Sequence, residues 1–175
     1  QYTRRKGLAE SLEIGMAEWN FDRERFEVLD VLGREESWQI VRDHPLLQTM
    51  NGINYLAFGG PFPMTRVPAT LEEVRNRDAY ESFTCREELN ESNPSKETLE
   101  KSKPKRNADG SLQWRWAKAP PVTQHDERRW LRQGLIKMDE ARLLPRAIDE
   151  NDRIVELHAG TIAYNPWRKR WVMIA

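Results

Sequence analysis

The chain has 175 residues, with 28 Lys and Arg against 28 Asp and Glu, so its formal net charge is zero. That balance argues against a dedicated nucleic-acid or anionic-membrane binder, which carries a basic surplus. Hydrophobic residues make up 38%, below the roughly 45–50% of a typical globular chain. Seven Trp offset part of that shortfall with large apolar area per residue. The single cysteine, Cys85, excludes an internal disulfide and leaves no thiolate set for zinc. No apolar run is long enough for a transmembrane span or a signal-peptide core.

In chain order, the first predicted pair of strands covers 12–19 and 25–31. Leu12, Ile14, Met16, Phe26 and Val28 fall mostly two apart, the period of a half-buried strand. The second pair, 46–50 and 53–58, flanks Asn51-Gly52, the strongest short hairpin signal, because a type I′ turn needs positive φ at both central residues. Thr70-Leu71-Glu72-Glu73 is a capping-box pattern that predicts a helix toward Asn76. Residues 86–106, rich in charge, Asn, Ser and Pro, are expected to form a polar, mobile insertion, weakly helical at most over 96–101. Asp109-Gly110 then turns into an alternating strand over 111–116, stopped by Pro120-Pro121. Thr123-Gln124-His125-Asp126 starts a second helix that ends at Gly134, and a short third covers 138–143. A last strand pair, 160–164 and 170–174, encloses Asn165-Pro166-Trp167-Arg168-Lys169.

Strand pairs separated by Gly and Pro turns predict a mainly β chain with helical insertions in its connecting loops, the longest spanning 68–143. The segment Gly15-x3-Trp19-Asn20-x2-Arg23-x-Arg25-Phe26 lies over Gly160-x3-Tyr164-Asn165-x2-Arg168-x-Arg170-Trp171. A structural repeat of the kind a propeller carries, or shared turn chemistry alone, produces such a match. Residue 1 is Gln rather than Met, and residues 171–175 read as strand interior. The expectation is a fragment of a longer protein.

The stretch from His158 through Gly160, Tyr164-Asn165-Pro166-Trp167 and Arg170-Trp171 to Ala175 resembles a strand-to-strand passage in glycosidase-like five-bladed β-propellers. It is similar, more narrowly, to such a domain in large uncharacterised bacterial proteins of the planctomycete type. His44-Pro45, the run from Tyr55 to Pro68, Tyr80-Glu81-Ser82-Phe83-Thr84-Cys85 and Asn107-Ala108-Asp109-Gly110 fit the same pattern. The resemblance implies a partial β-propeller: about two blades of antiparallel strands within residues 1–175, completed by remaining blades of the same chain. It further implies a periplasmic or secreted setting and a site in the axial funnel. The Asp and Glu motifs of characterised propeller glycosidases match no stretch of this chain.

His44 and His158 each stand just before a strand expected to line that funnel, and His is readily set to exchange a proton near neutral pH. Structural histidines bonded to loop backbone are the other reading. Asp43, beside His44, is the candidate acid of a glycosidase pair, whose carboxyl groups stand about 5–5.5 Å apart in retaining and about 6.5–9.5 Å apart in inverting enzymes. Arg66 follows Gly59-Gly60-Pro61-Phe62-Pro63 and is a candidate clamp for a ligand carboxylate, or a strand-end arginine held in an ion pair. Tyr55, Phe62 and Tyr164 are candidates for stacking on sugar rings, or for packing. No metal motif and no cofactor motif is present, since Lys105 stands where a calcium loop needs its first acid. Asn90-Glu91-Ser92 is a formal glycosylation acceptor of the kind chance supplies, and Cys85 reads as a small buried hydrophobe. The function expected is therefore carbohydrate-active or carbohydrate-binding, possessing a glycoside hydrolase-like funnel. The alternative is a non-catalytic propeller serving as a structural or protein-interaction module in a larger protein.

Overall fold

A computed structural model describes residues 2–7, 10–33, 38–39, 45–59, 62–89, 94–144, 150 and 160–174. These residues are mainly β, arranged in three antiparallel sheets with short helices between strands. Among them the strands do not close into a barrel or a ring of blades. None of their helices is long and apolar enough to cross a membrane.

The first sheet has the order β1 (Tyr2–Lys6), β2 (Glu10–Asn20), β3 (Arg25–Gly33). The expected hairpin is present and one to two residues longer at its ends, and β1 adds a strand that sequence periodicity did not mark. Gly15 permits the close packing: a Cβ there would lie 2.3 Å from the Asp30 carbonyl oxygen and 2.6 Å from the Tyr2 ring. Tyr2 completes the contact by donating its hydroxyl to Glu13 at 3.0 Å.

The second sheet runs in sequence order through β4 (Leu46–Met50), β5 (Ile53–Phe58), β6 (Thr65–Pro68), β7 (Glu81–Thr84) and β8 (Arg115–Ala117). Asn51 and Gly52 both have positive φ, 50° and 78°, as the predicted hairpin turn requires. One face of the sheet presents Phe58, Val67 and Tyr80 to Trp38, Val74 and Ala79. That cluster lies beneath α1 (Leu71–Arg75) and a 3-10 turn at Arg77–Ala79, capped by Thr70 and Asn76 side chains.

The chain after β7 builds a core of its own. Cys85, Val122, Trp130, Ile136 and Leu143 are buried together, with Phe62, Met64, Leu112 and Trp114 packed against them. Around it stand α2 (Lys96–Lys101), α3 (Gln124–Arg132) and a 3-10 turn at Met138–Glu140. Thr123 and Asp126 form the capping box of α3. The strand expected over 111–116 is regular only at Arg115–Ala117, because Leu112 bridges back to Arg106 and Gln113 donates to the Lys105 carbonyl at 2.9 Å. The helix expected over 138–143 stops at Glu140, since the N–H groups of Arg142, Leu143 and Leu144 turn to the Glu127 carboxylate at 2.8, 2.8 and 3.2 Å.

Among the described residues, four charged side chains are buried in this region: Arg86, Asp126, Glu127 and Arg129. The Arg86 side chain is 2% exposed and ion-paired with Asp126, itself 5% exposed. Its guanidinium also donates to Ser102 Oγ and to the carbonyls of Leu99 and Pro121.

The third sheet is the hairpin β9 (Thr161–Asn165) and β10 (Arg170–Ile174). It repeats the β2–β3 hairpin in detail. Trp19 pairs with Phe26 and Tyr164 with Trp171, each an edge-to-face contact, at 5.1 and 5.3 Å. Asn20 Oδ1 accepts from the Arg23 N–H at 3.0 Å, and Asn165 Oδ1 from the Arg168 N–H at 2.9 Å. Glu24 and Lys169 close the two turns with φ of 48° and 50°.

Arg86→Ala removes one of the two cations on the buried Asp126, leaving Arg129 at 3.1 Å, and takes the donors from the Pro121 carbonyl. It is expected to destabilise the protein by about 3 kcal/mol, the low end of the cost of breaking a buried pair, read as a lower urea midpoint. An unchanged midpoint would show that the guanidinium does not hold this core.

Candidate functional site

The face of the second sheet opposite the Phe58–Val67 cluster carries a row of aromatic and cationic side chains. Register places Tyr55, Arg66, Glu81, Phe83 and Trp116 on this one face. The Arg66 guanidinium lies between two rings, 4.2 Å from the centroid of Tyr55 and 4.2 Å from that of Trp116. Its Nε and Nη2 donate to Glu81 Oε2 at 3.0 and 2.7 Å. The row continues through Phe83, 5.3 Å from Trp116, to Trp114, which stacks on Phe83 at 5.0 Å and 16°. Arg142 ends it, 5.3 Å over Trp114 and 5.8 Å over Phe83.

At that end the surface opens into a cavity of about 520 Å³, walled by Phe83, Trp114 and Arg142 and rimmed by Asn107, Gln113 and Asp139. Glu140 belongs to the same wall but is committed elsewhere. It accepts from Arg106 at 2.5 and 3.1 Å and from the Lys137 N–H at 2.8 Å. The Arg106 hydrogen bonds, with that backbone donor, hold its carboxyl down at about 2. A carboxyl so acidic is ionised at neutral pH and has no proton to give a leaving group. Gln113 Oε1 and Trp114 Nε1 are buried without a partner, and being shielded they are not among the groups the cavity offers.

The expected site residues fall in different places. His44, Asp43 and His158 lie outside the described residues. Tyr55 and Arg66 come together, but Arg66 is taken up by Glu81 and two rings. Phe62 packs against the Cys85–Trp130 core and borders a smaller hollow, of about 310 Å³, with Met64 and His125. Tyr164 contacts Trp171 in the third sheet. Among the described residues no three His, Cys, Asp or Glu gather as metal ligands. Burial pushes the Cys85 thiol up to about 12, which leaves it without thiolate at neutral pH.

Sequence reading missed Phe83, Trp114 and Arg142 as site residues. The alternation Trp114-Arg115-Trp116 did mark two rings on one face. Arg142 carries no local signal, because Glu127 places it from across the inserted core.

No family model, no curated protein and no solved structure matches the chain. Its class is accordingly set by the fold alone: a mainly β protein with three antiparallel sheets.

The Glu140 carboxyl has its folded value below the ordinary 4.5. Its contribution is present above that ordinary value and is lost only as pH falls through about 2. The Glu140 side-chain carbon signal is thus expected to stay on its ionised plateau at pH 3. A titration midpoint near the ordinary carboxylate value would contradict the Arg106 pairing.

Proposed function

We propose that the chain is part of a glycan-binding β-propeller that holds a sugar in the cavity walled by Phe83, Trp114 and Arg142. The observation carrying this reading is the stacked Phe83–Trp114 pair at the mouth of a polar-rimmed cavity. Sugars present apolar C–H faces that suit aromatic rings and hydroxyls that suit amide, carboxylate and guanidinium groups. The cavity's size lies within the roughly 300–1,000 Å³ of small-molecule sites.

The equivalent hairpins β2–β3 and β9–β10 support the propeller, a fold of repeated antiparallel units. So do the rings and aliphatic side chains these hairpins leave exposed, among them Phe26, Val28, Val31 and Ile174. Such faces fit packing against neighbouring blades and equally favour the structural-module reading. Binding is preferred to hydrolysis because Glu140, one of the two carboxylates on the cavity, is tied to Arg106 and held ionised. A hydrolytic role in an axial funnel rests on the family resemblance alone.

Titration with neutral oligosaccharides of glucose, galactose, mannose and xylose, followed by calorimetry, tests the reading. Saturable binding is expected with at least one, and Trp114→Ala is expected to weaken it by about tenfold or more. No binding across the set, or full affinity in Trp114→Ala, would overturn it.

A further inference from the structure

The two matching hairpins differ in one respect. In β2–β3, Glu27 is the centre of a small network: its carboxylate accepts from Arg23 Nη1 at 2.8 Å, Arg25 Nη2 at 3.2 Å and Asn20 Nδ2 at 3.0 Å. The position equivalent to Glu27 in β9–β10 is Val172, by register with Ala163 where Glu27 faces Glu18. The other carboxylates of the aligned stretch, residues 16–29, are replaced too. Glu18, Asp22 and Glu24 become Ala163, Trp167 and Lys169, whereas Arg23 and Arg25 are retained as Arg168 and Arg170.

The second hairpin therefore holds three cations and no acid over residues 161–174. The Arg168 guanidinium lies over the Trp167 ring, 5.8 Å from its centroid. Among the described residues, neither Arg168 nor Arg170 has a carboxylate partner. Trp167 is 83% exposed and Trp171 half-exposed. These two rings, both guanidiniums and Val172 border an open hollow of about 410 Å³.

We propose that the tip of the β9–β10 hairpin binds acidic polysaccharides, with Arg168 and Arg170 taking a carboxylate or sulfate and the Trp rings taking the sugar face. Guanidiniums form forked hydrogen bonds with both oxyanions, and an exposed indole offers the apolar plane a pyranose needs. The chain as a whole is neutral, so the charge is local, and a short-range pairing with anions fixed along a glycan suits it better than the broad basic field that nucleic acid selects. This site stands on the comparison of the hairpins and does not depend on the Trp114 cavity.

The test is binding of the 175-residue chain to immobilised polygalacturonate and dextran sulfate, with neutral dextran, phosphatidylserine vesicles and oligo-thymidylate alongside. Retention on the acidic glycans is expected, and loss of it at high salt, where exposed charges are screened. Polygalacturonate binding alone would assign the carboxylate as the ligand; dextran sulfate binding alone would assign the sulfate. Arg168→Ala with Arg170→Ala is expected to weaken binding by about tenfold. Val172→Glu, which restores the missing carboxylate, is expected to do the same without removing either cation. Arg23→Ala with Arg25→Ala, in the neutralised hairpin, is expected to leave binding unchanged. Equal retention on dextran, binding confined to vesicles or to the oligonucleotide, or an unaffected Val172→Glu protein would each overturn the proposal. The neutral-sugar titration of the Trp114 cavity is independent of every one of these outcomes.

Discussion

The structure depends on a guanidinium buried where an apolar side chain would be expected. An arginine away from water is tolerated only if its donors meet acceptors. Arg86 meets them through Asp126, Ser102 and the carbonyls of Leu99 and Pro121. Each acceptor comes from a different part of the inserted chain: α2 and its C-cap, the loop after β8, and the first turn of α3. The backbone carbonyl of Arg86 in turn accepts from Arg115, the first residue of β8, at 3.2 Å from both terminal nitrogens. Satisfying one cation thus folds some forty residues against the edge of the sheet.

Glu127 acts in the same way one residue further along α3. It is fully buried, and burial raises its pKa against the opposing pull of three backbone donors. Those donors are the N–H groups of residues 142–144, so the carboxylate fixes the segment that carries Arg142 over Trp114 and Phe83. The position of Arg142 on the candidate cavity consequently depends on the buried Glu127. The cavity's stacked rings extend a row that begins at Tyr55 and Arg66, where the paired Glu81 neutralises the first cation and stiffens the platform.

Much of the local structure was legible in the sequence. The Asn51-Gly52 hairpin, the Thr70 and Thr123 caps and the equivalence of Gly15–Phe26 with Gly160–Trp171 follow from turn and cap chemistry that acts over a few residues. Strands β6 and β7 escaped because each is four residues long and places the polar Thr65, Ser82 and Thr84 at buried positions, so no apolar alternation marks them. The candidate site was less legible. Arg66 and Tyr55 were separate ligand-binding candidates in the sequence, and whether a guanidinium is free or spent depends on Glu81, fifteen residues away. Arg86 read as part of a polar insertion, because nothing near it in sequence announces that Asp126, forty residues on, will bury it.

The buried Arg86 and Glu127 networks make residues 85–89 and 94–144 one cooperative unit with the five-stranded sheet. Native-state hydrogen exchange at the Leu143 amide, which donates to Glu127, tests this cooperativity most directly. If the unit is cooperative, this amide exchanges with the same opening free energy as the Leu56 amide in β5, through global unfolding. Exchange at Leu143 through a local opening, several kcal/mol cheaper than that of Leu56, would contradict it.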